Sequence, residues 1–192
     1  MIHHSSNYQA TRPTNRLDPV PPGAYVAGII GAKVETAGSG QRLILQVEII
    51  EGPLTGYYKK LYESQSGGQF SARYKGTYSV PIPDGTPADA WKERMLNGLI
   101  YALQDSNPGY TWDWDETKLK GRKIGINVRK NIYTGRDGNP KETTEIGQFE
   151  TVDDVRNGKC RAMKDRVQKN SGASDNSTAE MENVTATVDV PF

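Results

Sequence analysis

Ala24-Tyr25-Val26-Ala27-Gly28-Ile29-Ile30-Gly31-Ala32-Lys33-Val34-Glu35-Thr36 decides the fold of this 192-residue chain, because its side chains alternate with a period of two. Val26, Gly28, Ile30, Ala32 and Val34 share one face, and Tyr25, Ala27, Ile29, Gly31 and Lys33 share the other. Successive side chains of a pleated backbone point to opposite sides, so the span predicts a β-strand with one face on a core. Ala37-Gly38-Ser39-Gly40 is a tight connection after it. Leu43, Leu45, Val47 and Ile49 then alternate against Ile44, Gln46 and Glu48 as the hairpin partner.

Downstream, Gly52-Pro53-Leu54-Thr55-Gly56 interrupts the chain, and Tyr57-Tyr58-Lys59-Lys60-Leu61-Tyr62 predicts a third strand, aromatic and basic. Residues 63–83 read as a long polar loop carrying Gly67, Gly68, Arg73, Lys75, Gly76 and two tyrosines, of a length that compact domains keep when they use it. Thr86-Pro87-Ala88-Asp89 has the form of a helix start, with Thr as N-cap and Pro in the first turn. Trp91, Met95, Leu96, Leu99, Ile100 and Leu103 recur at three and four as one apolar stripe, which assigns Trp91 to the core. The helix runs to about Ser106, and Asn107-Pro108-Gly109 stops it. Residues 110–115 are strand or loop, with acids between their aromatics. Beyond Leu119 and Gly121 a fourth strand sets Ile124, Ile126 and Val128 inward and Lys123, Asn127 and Arg129 outward. A turn over residues 134–139 returns the chain as a fifth strand over residues 142–150, with Ile146 and Phe149. Five short antiparallel strands with one helix between the third and fourth is the element order of a mainly β, five-stranded OB-fold, a partly open barrel that binds single strands or oligosaccharides.

Charge divides the chain. All 24 Lys and Arg lie in the first 170 residues with 19 acids, while residues 171–192 carry Asp175, Glu180, Glu182 and Asp189 and no base. A net charge of +1 therefore conceals a body of +5 and a tail of −4. The boundaries that follow are a flexible arm over residues 1–21, a nucleic-acid-binding domain over 22–156, a basic extension over 157–170 and a disordered acidic tail over 171–192. Within residues 151–169, six cations surround Val155, Met163 and Val167, as either a basic helix broken at Gly158 or a flexible phosphate-binding extension. Cys160 is the only cysteine, which excludes a disulfide framework. No apolar run reaches the roughly 20 residues needed to cross a bilayer. The expected location is the cytoplasm of a bacterial host cell, with no membrane partner.

A binder of single strands that tolerates any sequence needs aromatic platforms for base faces and Lys or Arg for phosphates. Tyr57, Tyr58, Lys59, Lys60 and Tyr62 meet that description; Arg73, Tyr74, Lys75 and Tyr78 repeat it in the long loop, and Arg129, Lys130, Tyr133 and Arg136 in the last hairpin. Tyrosine is also a favoured strand residue, and part of any such set points inward. Catalysis would draw on Asp113 with Asp115 and Glu116, or Asp153 with Asp154, as Mg²⁺ ligands of a nuclease, yet acids at element ends commonly cap helices. No P-loop glycine pattern is present, and His3 and His4 are the only histidines. The expectation is a protein that is not an enzyme and needs no cofactor or metal, with a metal-dependent nuclease and a protein-only adaptor as the competing classes.

The C-terminal Asp189-Val190-Pro191-Phe192 resembles the tip of bacterial and phage single-stranded DNA-binding proteins, where acids precede a terminal Pro-Phe; here one Asp stands in place of a run. The body adds to the resemblance. Pro22-Gly23-Ala24-Tyr25, the glycine hairpin, Gly52-Pro53-Leu54-Thr55-Gly56, the aromatic-basic stretch, the helix and Leu119-Lys120-Gly121-Arg122-Lys123 follow one another as in small phage and prophage proteins encoded among replication and recombination genes. The likeness covers residues 22–154 and implies an OB-fold, single-stranded DNA as ligand, and recruitment of replication or recombination proteins through the tip. DNA against RNA, and homo-oligomer against monomer, stay open.

Overall fold

In the computed structural model, residues 17–38, 40–65, 73–135 and 137–168 are described. Arg136, the 171–192 tail with its Asp189-Val190-Pro191-Phe192 tip, and most of the 1–21 arm lie outside them. The elements in chain order are β1 (Gly23–Ala37), β2 (Gly40–Ile49), α1 (Tyr57–Gln65), β3 (Thr77–Ile82), α2 (Ala90–Ser106), β4 (Lys123–Thr134), β5 (Pro140–Glu150), α3 (Val152–Arg156) and β6 (Arg166–Val167). A 3₁₀ turn at Pro87–Asp89 leads into α2, and another at Glu116–Leu119 precedes β4.

The strands form one sheet in the order β3-β2-β1-β4-β5, antiparallel throughout, with β6 added parallel to the far half of β4. Central β1 pairs over Ala27–Ala37 with β2, and over Gly23–Gly28 with β4. The architecture is thus mixed, an antiparallel sheet with one main helix, and corrects the five-stranded barrel: the ladder ends at β3 on one side and β5 on the other. Those two edges still meet through side chains. Tyr78 on β3 packs edge-on against Phe149 on β5, with centroids 5.1 Å apart, and its hydroxyl donates to Gly147 O at 3.3 Å.

Two departures from strict alternation shape the sheet. Ile29 pairs Val47 but Gly31 pairs Gln46, so Ile30 is an extra residue in β1. Ala27 and Ile29 face the core before this bulge; after it Ala32 and the more exposed Val34 lie on that side, opposite the buried Leu45 and Leu43. The expected single face of Val26, Gly28, Ile30, Ala32 and Val34 is therefore split at the bulge. A matching irregularity lies between Asn127 and Val128, where Gly147 is the extra residue of β5. Bulges of this kind bend and twist a strand, which is how a sheet curls over its own core. That core joins Ile29, Leu45, Val47 and Ile49 with Ile124, Ile126 and Val128, closed by Leu99 and Leu103 of α2.

Helix α2 ends at Ser106 as its periodicity predicts, and Asn107 fastens the end to β4: its side-chain amide donates to Lys123 O at 2.8 Å and accepts from Lys123 N at 2.9 Å. Trp91 is corrected from core to surface, being 42% exposed on the side of α2 away from Leu96, Leu99 and Leu103. At the helix start Thr86 makes no side-chain cap. Asp89 does the local work: it is buried, pairs Lys92 at 2.5 Å and accepts from Asp84 N at 2.7 Å, and the Lys92 bond lowers its pKa to about 2. Of residues 151–168, only Val152–Arg156 are helical; past Gly158, at φ +65°, the chain runs without regular secondary structure to β6. No helix among the described residues is long and apolar enough to cross a membrane.

Candidate nucleic-acid interface

Tyr57-Tyr58-Lys59-Lys60-Leu61-Tyr62 is helix α1, not a third strand. The reason lies on β2. Glu48 Oε1 accepts from Tyr58 N at 3.0 Å and Oε2 from Lys59 N at 2.7 Å, so a carboxylate from another element satisfies donors that the first turn of a helix leaves open. The same Oε2 accepts from the Tyr74 hydroxyl at 2.8 Å. Tyr58 and Leu61, three apart, are the buried face of α1. The third strand is instead Thr77–Ile82, inside the stretch expected to be loop, and Pro81 is tolerated there because β3 is a sheet edge.

This arrangement merges the first two aromatic-basic groups. The Tyr74 ring lies 6.2 Å from Tyr58 and 6.1 Å from Tyr62, and both Tyr58 and Tyr74 are buried. Burial, with the Glu48 carboxylate next, pushes both phenols well above their ordinary pKa. Gly76 closes the cluster, since a Cβ on it would run into Val47 O, whose own residue's N–H donates to Gly76 O at 2.8 Å. These tyrosines hold α1 on the sheet and are removed from the set of base platforms. Tyr57 is half-buried with its hydroxyl on Asp18 O at 2.8 Å, and Tyr62 is half-buried. Around the cluster, Lys59, Lys60, Arg73 and Lys75 are exposed. Lys59 reaches Glu63 at 4.0 Å; Lys60, Arg73 and Lys75 have no carboxylate within 4.0 Å among the described residues.

The third group sits differently. Arg129 places Nε and Nη2 each 2.8 Å from Glu145 Oε1, and Arg166 of β6 and the Asn131 amide converge on the same carboxylate at 3.5 and 3.1 Å. Lys130 is 3.5 Å from Glu142 across the hairpin, and Tyr133 is half-buried. Tyr78 belongs to this side, through its contacts with Gly147 and Phe149. The structure therefore brings Tyr57, Tyr58, Lys59, Lys60, Tyr62, Arg73, Tyr74 and Lys75 together, and keeps Arg129, Lys130 and Tyr133 apart from them.

Of the carboxylates weighed as metal ligands, Asp113 and Asp115 are engaged. Lys118 bonds Asp113 and lies 3.5 Å from Asp115, and Asp115 also accepts from Thr117 N at 3.0 Å. Those bonds hold both carboxyls below their ordinary pKa, Asp113 chiefly through Lys118 and Asp115 chiefly through Thr117. Among the described residues no group of three or more His, Cys, Asp or Glu is placed to hold a metal ion. Glu48 had no local sequence signal, because its role is set by elements it meets only in the fold. No protein-family model matches the chain, and no curated protein matches it either.

Proposed function

We propose that this protein binds single-stranded nucleic acid without catalysing a reaction, through the exposed cations around α1 and the start of β3. The observation that carries the reading is the set Lys59, Lys60, Arg73 and Lys75 on a rigid tyrosine base, the last three with no carboxylate in reach among the described residues. A cation without a protein counter-charge gives up only mobile ions when a phosphate arrives, which favours association and makes it salt-dependent. The strand order, with a central first strand shared by two ladders and a helix between β3 and β4, supports an open OB-type arrangement. Tyr57, Tyr62, Tyr78 and Tyr133 are the tyrosines of the three groups that are half-buried and keep some surface for base stacking.

The segment Asp189-Val190-Pro191-Phe192 enters the same proposal as a docking peptide for replication or recombination proteins: an aromatic ring close to an acid, stiffened by proline, fits a basic-rimmed apolar pocket. The test is a titration with single-stranded DNA, duplex DNA and RNA at several salt concentrations. The expected result is little base preference, weaker duplex binding and a salt slope of about −0.7 per phosphate neutralised. Equal duplex affinity or a flat salt response overturns it.

A further inference from the structure

A small open groove lies at the end of the core farthest along β1 and β2, lined by Val34, Leu43, Ile82, Leu96, Trp112 and Trp114 with Glu116 at its edge. Its wall is unusual in three respects. Trp114 is 70% exposed, and at φ +67° it is the one residue other than glycine with positive φ among the described residues, a conformation that a bulky side chain adopts only when its surroundings impose it. Trp112 meets it edge-on at 6.1 Å and carries a buried indole N–H with no acceptor among the described residues. The rim is acidic: Asp113, Asp115 and Glu116 are answered locally by Lys118 alone, which is already bonded to both aspartates.

An apolar slot with an acidic rim suits a peptide that offers an aliphatic or aromatic side chain and nearby arginine; phosphate is repelled from it. The two chain ends outside the described residues differ in this respect. The tail carries four acids and no base, whereas residues 1–16 carry Arg12 and Arg16, no acid, and Ile2 and Tyr8 as apolar anchors. From Tyr8 to Leu17, where the described residues begin, the backbone can span about 30 Å, comparable to the width of a domain whose radius of gyration is about 15 Å. We propose that the Trp112–Trp114 groove is the docking site of the chain's own N-terminal arm. A short tether holds such a peptide at an effective concentration near millimolar, so weak side-chain contacts suffice.

The experiment uses the full chain carrying Trp91→Phe, so that collisional quenching by acrylamide reports on Trp112 and Trp114. Replacing Ile2, Tyr8, Arg12 and Arg16 by serine in that background should raise the quenching constant severalfold, with unchanged thermal unfolding. The unsubstituted arm should lose its protection as salt rises, because the rim attraction is screened. As a second readout, a nitroxide on Asn7→Cys in a Cys160→Ser chain should broaden the indole N–H signals of Trp112 and Trp114 at high dilution. Equal quenching with and without the arm substitutions overturns the proposal. So does protection that disappears on dilution, which assigns the groove to a second copy, and so does shielding that appears only when a single-stranded oligonucleotide is added, which makes Trp114 a base platform.

Discussion

Helix α1 and the β4–β5 hairpin carry the same residue types and use them in opposite ways. Around α1 the tyrosines are buried and the cations exposed, with Glu48 spent on backbone N–H groups and the Tyr74 hydroxyl. On the hairpin, Arg129 faces Glu145 directly across the ladder, and Lys130 reaches Glu142 diagonally across it. Composition is equal; electrostatic availability is not. A guanidinium already held by two bonds to a carboxylate must surrender them before it takes a phosphate, whereas an exposed lysine surrenders only water and counterions.

The sharpest way to break this contrast is Tyr74→Ala, which removes a buried ring shared by α1, β2 and β3. It should cost about 3–5 kcal/mol in urea unfolding, while the fraction still folded binds oligonucleotide as before. A stable variant with weakened binding would place Tyr74 on the ligand side after all. Next in size, Lys60→Gln, Arg73→Gln and Lys75→Gln together should flatten the salt slope by about 2, at roughly 0.7 for each phosphate no longer neutralised. Arg129→Gln with Lys130→Gln should change it by less than the share of a single phosphate. The contrast is wrong if the hairpin pair has the larger effect.

Glu145→Gln sharpens the comparison from the other side. It frees Arg129 and Arg166, so low-salt affinity should rise severalfold while stability falls by about 1–2 kcal/mol, measured in parallel titration and denaturation series. The smallest effect is alkaline. Tyr58 and Tyr74 keep their protons in the folded state above the ordinary tyrosine value, so unfolding alone lets them ionise. Their stabilisation is complete below about pH 10 and is lost as pH rises beyond it, which a progressive drop in Tm with a coincident phenolate absorbance step at unfolding would register.

Where local signals and tertiary demands agreed, the sequence was sufficient. The α2 stripe, the Asn107-Pro108-Gly109 stop and the inward Ile124, Ile126 and Val128 of β4 all follow from period and turn chemistry. The miss at α1 has a physical cause: tyrosines favour strands, and the carboxylate that makes residues 57–65 helical comes from β2. The spacing of Tyr58, Leu61 and Tyr62 was nonetheless a helical clue. Thr77–Ile82 was not legible as a strand because a sheet edge needs only one partner and tolerates Pro81. For the site, the cations were legible and their counter-charges were not, since Glu145 is set opposite Arg129, and Glu142 diagonally from Lys130, by a register that no single segment encodes.

The extra residue at Ile30 means that β1 is written in two reading frames, odd numbers inward before it and even numbers after. Deleting that one residue would leave composition and hydrophobicity almost untouched and yet put the halves out of phase, so that either Ala27 and Ile29 or Ala32 and Val34 would turn to water. The chain can accept many substitutions along this strand, but its length between Gly28 and Gly31 is fixed by parity rather than by chemistry.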